Sequence, residues 1–357
     1  MTEGRQSEPP PPPPPAGALV GGSPWQRTRM ELPKRRSAPQ RLVLAARAMV
    51  RSRPLEDVYL APDPRGGPSP GELTVAHGSG PIGRPRAAWR ETDYVGGLER
   101  RIAEPRLTHC ATVAVVSPKG GVGKTTVTAL LGMLFAELRH DRIVAIDTNP
   151  DYGSLGRTLA PSHRVYVDDL LAVLDDPTLT ITQLDASLAR AHHGLLVLPA
   201  PTAPERMAKL DRYGYSRVIQ RLQRLVSVIL LDCGTGLWEP AAQVALAAAT
   251  QVVLISDAEP ATASLVAEAS QQLRTLDVPV TLVVNKANRG GRLDIERFAQ
   301  NIRWAHGLVT IADEPRAAAS IGTGDFEWHH APKQWRIALR ELGALITGDW
   351  DCLGLTL

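Results

Sequence analysis

Residues 117–126 read SPKGGVGKTT and are followed at once by the apolar segment VTALLGMLF. The strand-like run ATVAVVS (111–117) leads into this stretch, and a helical pattern continues from it over residues 125–140. Glycines let the backbone adopt positive φ and turn its N–H groups toward an anion. A helix that begins directly after such a turn adds the positive end of its dipole. The stretch therefore predicts a phosphate-binding loop.

Each polar residue of this loop has an expected role toward a nucleotide and its magnesium ion. Lys124 is placed to reach the β- and γ-phosphates, and Thr125 to offer its hydroxyl to Mg²⁺. Thr126 is expected near the α-phosphate. The alternative is a glycine-rich turn without a ligand. The loop residues expected to bind the nucleotide through backbone or side chain are Gly120, Gly121, Val122, Gly123, Lys124, Thr125 and Thr126.

A second lysine distinguishes this loop from the common pattern. That pattern has a glycine five residues before Gly123, where this chain has Pro118 followed by Lys119. The form KGGVGKTT resembles the deviant Walker A motif of the MinD/ParA family of P-loop ATPases. The resemblance implies that Lys119 crosses to a partner subunit and contacts its nucleotide, so that two monomers enclose two ATP molecules. It thus implies an ATP-dependent homodimer; the alternative is a solvated lysine beside the loop.

The resemblance extends over residues 111–350. VSVILLDCGTG (226–236) is similar to the Walker B strand and switch II, where Asp232 is expected to hold Mg²⁺ through water. The alternative for this aspartate is a helix cap or a turn. TLVVNKANRG (281–290) resembles the strand that recognises the base, which implies that Asn285 reads the adenine edge. The alternative there is a turn asparagine.

Switch I departs from the family pattern. RIVAIDTNPDYGSLG (142–156) resembles it, and Asp147 matches the first aspartate of D-x-D-P, but Asn149 stands at the second. In relatives that carboxylate positions or polarises the attacking water. An amide orients water without accepting its proton, and phosphoryl transfer depends mostly on positioning and charge stabilisation. We therefore expect slow hydrolysis, with Asp151 as a candidate substitute. The expected catalytic residues are Lys119, Lys124, Asp147 and Asn149.

Apolar runs alternate with segments of helical period from residue 111 onward. The runs are continuous, as in parallel strands that are buried on both faces. This alternation predicts an α/β fold, a doubly wound and mostly parallel sheet with helices on both faces, over residues 109–350. Residues 351–357 are expected to form a C-terminal tail. The predicted strands are 111–117, 142–147, 194–199, 226–232, 251–256, 280–285 and 307–311, and the predicted helices include 125–140, 216–225 and 262–276.

The first 108 residues differ in composition from the rest. They hold 18 of the 30 prolines, seven of them consecutive from Pro9 to Pro15, which predicts a largely disordered tail. Their 17 Lys and Arg and 11 Asp and Glu give this region a net charge of +6. The remaining residues have 23 Lys and Arg and 26 Asp and Glu, which give a net charge of −3. Residues 40–53 are predicted as a transient helix or a docking helix for a partner or an anionic membrane. Residues 93–105 are predicted as a short helix that leads into the folded domain.

The three cysteines are too few and too far apart for a disulfide framework or a spaced zinc site. They suit a reducing cytosol, and the N-terminus has no apolar signal region. No apolar stretch is long enough for a transmembrane helix. We therefore expect a cytoplasmic protein. The cysteines are Cys110, Cys233 and Cys352.

Members of the family act as ATP-dependent switches, which implies a slowly hydrolysing switch that positions or assembles a partner complex. Four features together resemble MinD-like proteins of actinobacterial type VII secretion or pilus assembly. They are the Pro-rich basic tail, the segment LERRI, the two-lysine loop and the switch AIDTNPDYGSLG. The tail is a candidate site for a protein partner, or a passive linker. The alternative functions are a nucleotide-binding scaffold with poor hydrolysis and a DNA-partition ATPase.

Two features bear on membrane and DNA binding. The C-terminus, ELGALITGDWDCLGLTL, lacks the late basic face of division-site members, so membrane targeting through it is not expected. Peripheral membrane association is otherwise left open. The net charge of −3 disfavours non-specific DNA binding, which depends on neutralising phosphates. The arginines that keep the DNA alternative open are Arg289, Arg292, Arg297 and Arg303.

Overall fold

The structure is a computed structural model that describes residues 83–149, 153–174, 180–191, 194–207, 210–288 and 291–357. The polyproline run, the helix predicted at 40–53, Asp151 and Arg289 lie outside the described residues. Among the helices of the described ranges, none has the length and apolar character needed to cross a bilayer.

An eight-stranded sheet runs through the centre of the described domain, in the order β3-β4-β2-β5-β1-β6-β7-β8. All neighbouring pairs are parallel except β3 with β4, which is antiparallel. The carboxyl ends of the parallel strands therefore meet along one edge. The strands are β1 (Ala111–Val116), β2 (Ile143–Thr148), β3 (Ala189–Arg190), β4 (Leu196–Leu198), β5 (Val228–Cys233), β6 (Gln251–Asp257), β7 (Val280–Ala287) and β8 (Gly307–Ala312).

Helices cover both faces of this sheet, which confirms the predicted fold class. The helices of the described ranges are α1 (Gly83–Ala103), α2 (Lys124–Leu138), α3 (Leu155–Leu159), α4 (Val167–Leu174), α5 (Ile181–Ala186), α6 (Pro204–Met207), α7 (Arg212–Leu222), α8 (Pro240–Ala248), α9 (Pro260–Leu273), α10 (Ile295–Asn301), α11 (Pro315–Thr323) and α12 (Lys333–Gly348), with 3₁₀ turns at Arg274–Leu276 and Trp328–His330.

The core lies in two layers, one on each side of the sheet. Val113 and Val115 of β1 pack into the layer that includes α1, α2 and α12. Ala114 and Val116 pack into the opposite layer, which includes α4, α7, α8 and α9. Because successive side chains of a strand point to opposite faces, a strand covered on both sides needs apolar residues at every position. This is why the apolar runs are continuous.

Helix α1 belongs to the packed unit although it precedes residue 109. Ile102 is fully buried, and Tyr94 donates its hydroxyl to Glu341 of α12 at 2.6 Å. Arg340 of α12 donates from Nε to Glu99 at 2.8 Å. The helix predicted at residues 93–105 therefore forms the last part of a longer helix, in which Glu99 pairs with Arg340 of α12.

The C-terminal residues 351–357 are likewise tied to the domain. The backbone N–H of Thr108 donates to the carbonyl of Leu355 at 2.8 Å, and Leu107 forms an antiparallel bridge with Thr356. The side chain of Leu355 is buried. The packed unit thus extends beyond residues 109–350 on both sides.

We expect Ile102→Ala to lower the free energy of unfolding by about 2–5 kcal/mol, because it opens a cavity in a filled core. The Ile102 side chain lies against Gly343 of α12, where the ring of Phe135 of α2 also approaches. Leu357→Ala is the matched control, since Leu357 is 90% exposed and its truncation should change stability by no more than about 0.5 kcal/mol. Urea denaturation measures both values. Equal effects of the two substitutions would mean that α1 is not part of the cooperative fold.

Candidate functional site

The predicted phosphate loop connects β1 with α2 at the carboxyl edge of the sheet. Gly121 and Gly123 have φ of 77° and 98°, values that disfavour any residue with a side chain. Gly123 also caps α2, and its carbonyl accepts from the N–H of Val127 at 2.9 Å. A side chain at Gly123 would collide with the amide of Asn285. The loop conformation therefore requires the glycines that the sequence places there.

Lys124 lies inside the loop. Its side chain is almost fully buried, and its ammonium group donates to the backbone carbonyl of Lys119 at 3.3 Å. Burial lowers the pKa of Lys124, and the negative charge of Asp232 offsets part of this effect. The result is a cation held at the centre of a curled backbone, which is what binding a phosphate requires.

Thr125 and Asp232 bring two oxygen ligands together. The hydroxyl of Thr125 donates to Asp232 Oδ2 at 2.7 Å, and the hydroxyl of Thr128 lies 3.5 Å from Oδ1. Burial raises the pKa of Asp232, opposed by the Thr125 hydrogen bond and the Lys124 ammonium group. A hydroxyl beside a carboxylate is a donor set suited to Mg²⁺, which prefers oxygen ligands and keeps several of its waters.

Asp147 is the neighbour of Asp232 across the parallel β2–β5 pair. It is fully buried, and its two carboxylate oxygens accept from the backbone N–H groups of Asn149 and Leu155, each at 3.1 Å. Burial, and after it the nearby Asp232, raises the pKa of Asp147. Gly153 packs so closely on this carboxylate that a Cβ atom would not fit. Asp147 thus bonds to the backbone just after β2 and at the start of α3.

The two remaining residues of the predicted site lie at this same edge. Asn149 directly follows β2 and is half-buried, and Thr126 is half-buried in the first turn of α2. Thr148, between the two switch residues, donates its hydroxyl to the backbone carbonyl of Asp232 at 3.0 Å. The end of β2 is therefore bonded to the end of β5.

The end of β7 holds the phosphate loop from the other side. Asn285 donates its side-chain amide to the carbonyl of Val122 at 2.8 Å, and Lys286 donates to the carbonyl of Gly121 at 2.6 Å. Lys286 adopts a positive φ of 56°. Sequence reasoning singled out Asn285 but missed Lys286, although Lys286 directly follows it in the base-recognition segment.

Lys119 takes a different direction from Lys124. Its ammonium group donates to the hydroxyl of Thr262 in α9 at 2.6 Å and lies 3.8 Å from Asp257 Oδ2 at the end of β6. The Lys119 side chain is 40% exposed. Neither partner was predicted from the sequence, because neither belongs to a recognised motif.

The ends of β1, β2, β5 and β7 therefore meet in one cluster of loop backbone, lysine, hydroxyl and carboxylate groups. Ligands of open α/β sheets bind at this edge, outside the carboxyl ends of the strands. The arrangement defines a P-loop nucleotide-binding protein. Residues 113–319 match the family model described as the CobQ/CobB/MinD/ParA nucleotide binding domain, which is more than half of the 357 residues. The chain belongs to this family, and its MinD/ParA members are P-loop ATPases.

Several known proteins are similar to the chain. The "ESX-1 secretion-associated protein EspI" of Mycobacterium tuberculosis is 31% identical over 144 residues, covering 40% of this chain and 21% of that protein. The chain thus matches about a fifth of the length of that relative. The "Septum site-determining protein MinD" of Bacillus subtilis is 24% identical over 247 residues, covering 66% of this chain and 89% of that protein.

A solved structure shows the same fold. The septum site-determining protein MinD of Pyrococcus horikoshii, complexed with Mg-ADP, superposes with a TM-score of 0.56 at 20% identity. The superposition covers 66% of this chain and 94% of that chain.

Proposed function

We propose that the chain is an ATP-driven switch: it binds ATP with Mg²⁺, pairs with a second copy in the ATP-bound state, and hydrolyses ATP slowly. The observation that carries the proposal is the different placement of the two loop lysines. Lys124 is buried within the loop, whereas Lys119 leaves the loop and keeps 40% of its side chain exposed. One lysine is thus positioned for the nucleotide of its own subunit. The other, bonded to Thr262, lies partly exposed outside the loop, where a partner could approach it.

The proposed nucleotide contacts follow from the loop geometry. Backbone N–H groups from Gly120 to Thr126, with the Lys124 ammonium group, would surround the phosphates. Thr125 would hold Mg²⁺ directly and Asp232 through water, and the bound ion would neutralise charge on the β- and γ-phosphates. Asn285 would keep its contact with Val122 and present its remaining amide groups to the adenine edge.

Slow hydrolysis is proposed from the state of switch I. Both oxygens of Asp147 are already bonded to backbone N–H groups, which suits a residue that orders the segment. Asn149 is the residue expected to orient the attacking water, and its amide cannot take a proton from it. The same observation favours the second candidate function, a scaffold that binds ATP and pairs but releases almost no phosphate.

A controlled partner complex completes the proposal. The relative EspI is named as secretion-associated, and a solved complex of Aquifex aeolicus pairs MinD with MinC at a TM-score of 0.52 and 21% identity to this chain. By analogy, the nucleotide state of the chain would control a secretion or pilus complex, with the Pro-rich N-terminal segment as a docking element. The DNA-partition alternative has less support, because Asp294 and Glu296 interrupt the exposed arginines Arg292, Arg297 and Arg303.

Lys124→Ala and Lys119→Ala should separate nucleotide binding from pairing. We expect Lys124→Ala to weaken ATP binding about 10- to 100-fold, since it removes a charge-assisted contact to phosphate. Lys119→Ala should bind ATP normally and stay monomeric. Light scattering after size exclusion, with ADP, ATP and a non-hydrolysable analogue, measures pairing, and phosphate release is followed in the same samples. A Lys119→Ala variant that still pairs in ATP would overturn the switch proposal.

Asn149→Asp tests the water-orienting role. A carboxylate at this position can accept a proton, so we expect phosphate release to rise by about tenfold or more. Asn149→Ala is the matched control. Its phosphate release should be slower than that of the unmodified chain, because alanine can neither orient the attacking water nor accept its proton. ATP binding is measured in parallel, so that only turnover is compared. Equal turnover in all three proteins would place the attacking water under the control of another residue.

A further inference from the structure

The contact between Lys119 and α9 lies within a single subunit. Thr262, which receives the hydrogen bond, is fully buried in the first turn of α9. Asp257 is also buried, and its Oδ1 accepts from the backbone N–H of Glu259 at 3.2 Å. Both acceptors are therefore fixed in place before Lys119 reaches them. A charged donor and a rigid hydroxyl give a stronger contact than two mobile surface groups do.

We propose that Thr262 and Asp257 are positioning residues that hold Lys119 on its own subunit and so oppose pairing until ATP is bound. The proposal rests on the function proposed above, in which Lys119 contacts the nucleotide of a partner. The Lys119 ammonium group that donates to Thr262 is the group that would cross to the second subunit. Under this proposal, pairing exchanges the contact with Thr262 for a contact with the partner's nucleotide.

The two lysines of the loop are linked through one peptide group. The ammonium group of Lys124 donates to the backbone carbonyl of Lys119, while the Lys119 side chain donates to Thr262. Phosphates that enter the loop would compete with that carbonyl for the Lys124 ammonium group. A weaker bond to the carbonyl would relax the restraint on the Lys119 backbone, while the partner nucleotide would offer Lys119 a stronger acceptor. This gives ATP a route to release Lys119.

Thr262→Val tests the proposal, because valine keeps the shape of threonine and removes the acceptor. We expect the dissociation constant of the ATP-bound dimer to fall about 3- to 10-fold. This range corresponds to the loss of one charge-assisted hydrogen bond in the monomer, reduced because Lys119 is partly exposed to solvent. Asp257→Asn should act in the same direction with a smaller effect. Sedimentation of the full chain over a concentration series in a non-hydrolysable ATP analogue measures each constant.

Three controls make the result specific. Thr262→Ser restores a hydroxyl and should return the dissociation constant toward that of the unmodified chain. ATP binding by the monomer should be unchanged in Thr262→Val, and urea denaturation compares the folding of each variant. The double variant Lys119→Ala with Thr262→Val should remain monomeric, because the group that is released is absent.

The failure of this inference differs from the failure of the proposed function. If Thr262→Val pairs as weakly as the unmodified chain, or more weakly, Thr262 does not restrain Lys119 and the inference is overturned. The switch proposal then stands as long as Lys119→Ala still abolishes pairing. If Lys119→Ala pairs normally, both the switch proposal and the inference are overturned.

Discussion

The hydrogen bond from Thr125 to Asp232 joins the two halves of the site, the phosphate loop and the end of β5. Burying a carboxylate is unfavourable unless charged or hydrogen-bonding groups compensate for the lost water. Here the compensation comes from the Thr125 hydroxyl and the Lys124 ammonium group, both of which belong to the loop. The curled loop, together with Thr128 of α2, thus favours the ionised form of the buried Asp232. The loop in turn places Lys124 at its centre, so that the Thr125–Asp232 contact holds the lysine and the carboxylate of the site in one arrangement.

Much of the fold and part of the site could be predicted because the determining interactions are local in sequence. The seven predicted strands are long apolar runs, and each corresponds to a strand of the sheet. The loop was predicted from one continuous segment whose glycines have the conformational freedom it needs. The strand β3 was missed because it has only two residues, neither of them buried, at the edge of the sheet. Such a strand leaves no hydrophobic pattern to detect.

The contacts that organise the site could not be predicted, because they join residues far apart in the chain. Lys119 bonds to a threonine 143 residues later, and Asn285 to a carbonyl 163 residues earlier. Neither pairing leaves a mark in the local pattern. The same holds for Arg340, whose bond to Glu99 spans 241 residues and brings α1 into the domain. The sequence showed a helix at 93–105 within a proline-rich and basic region, but the buried contacts of Leu98 and Ile102 and the bonds to α12 that make it part of the domain join residues far apart in the chain.

A switch of this kind depends on how differently its ligand binds the two states, more than on how tightly the ligand binds either one. An effector can shift an equilibrium only by its differential affinity for the two conformations. In the proposed switch, Lys124 would bind phosphate in the monomer and in the dimer alike, so by itself it would contribute affinity without distinguishing the two states. Lys119 has one set of acceptors in the monomer, Thr262 and Asp257, and would find another across the dimer. In the proposed switch, the two-lysine loop would therefore do what one lysine cannot. Lys124 would retain the nucleotide, while Lys119 would make pairing depend on the bound nucleotide.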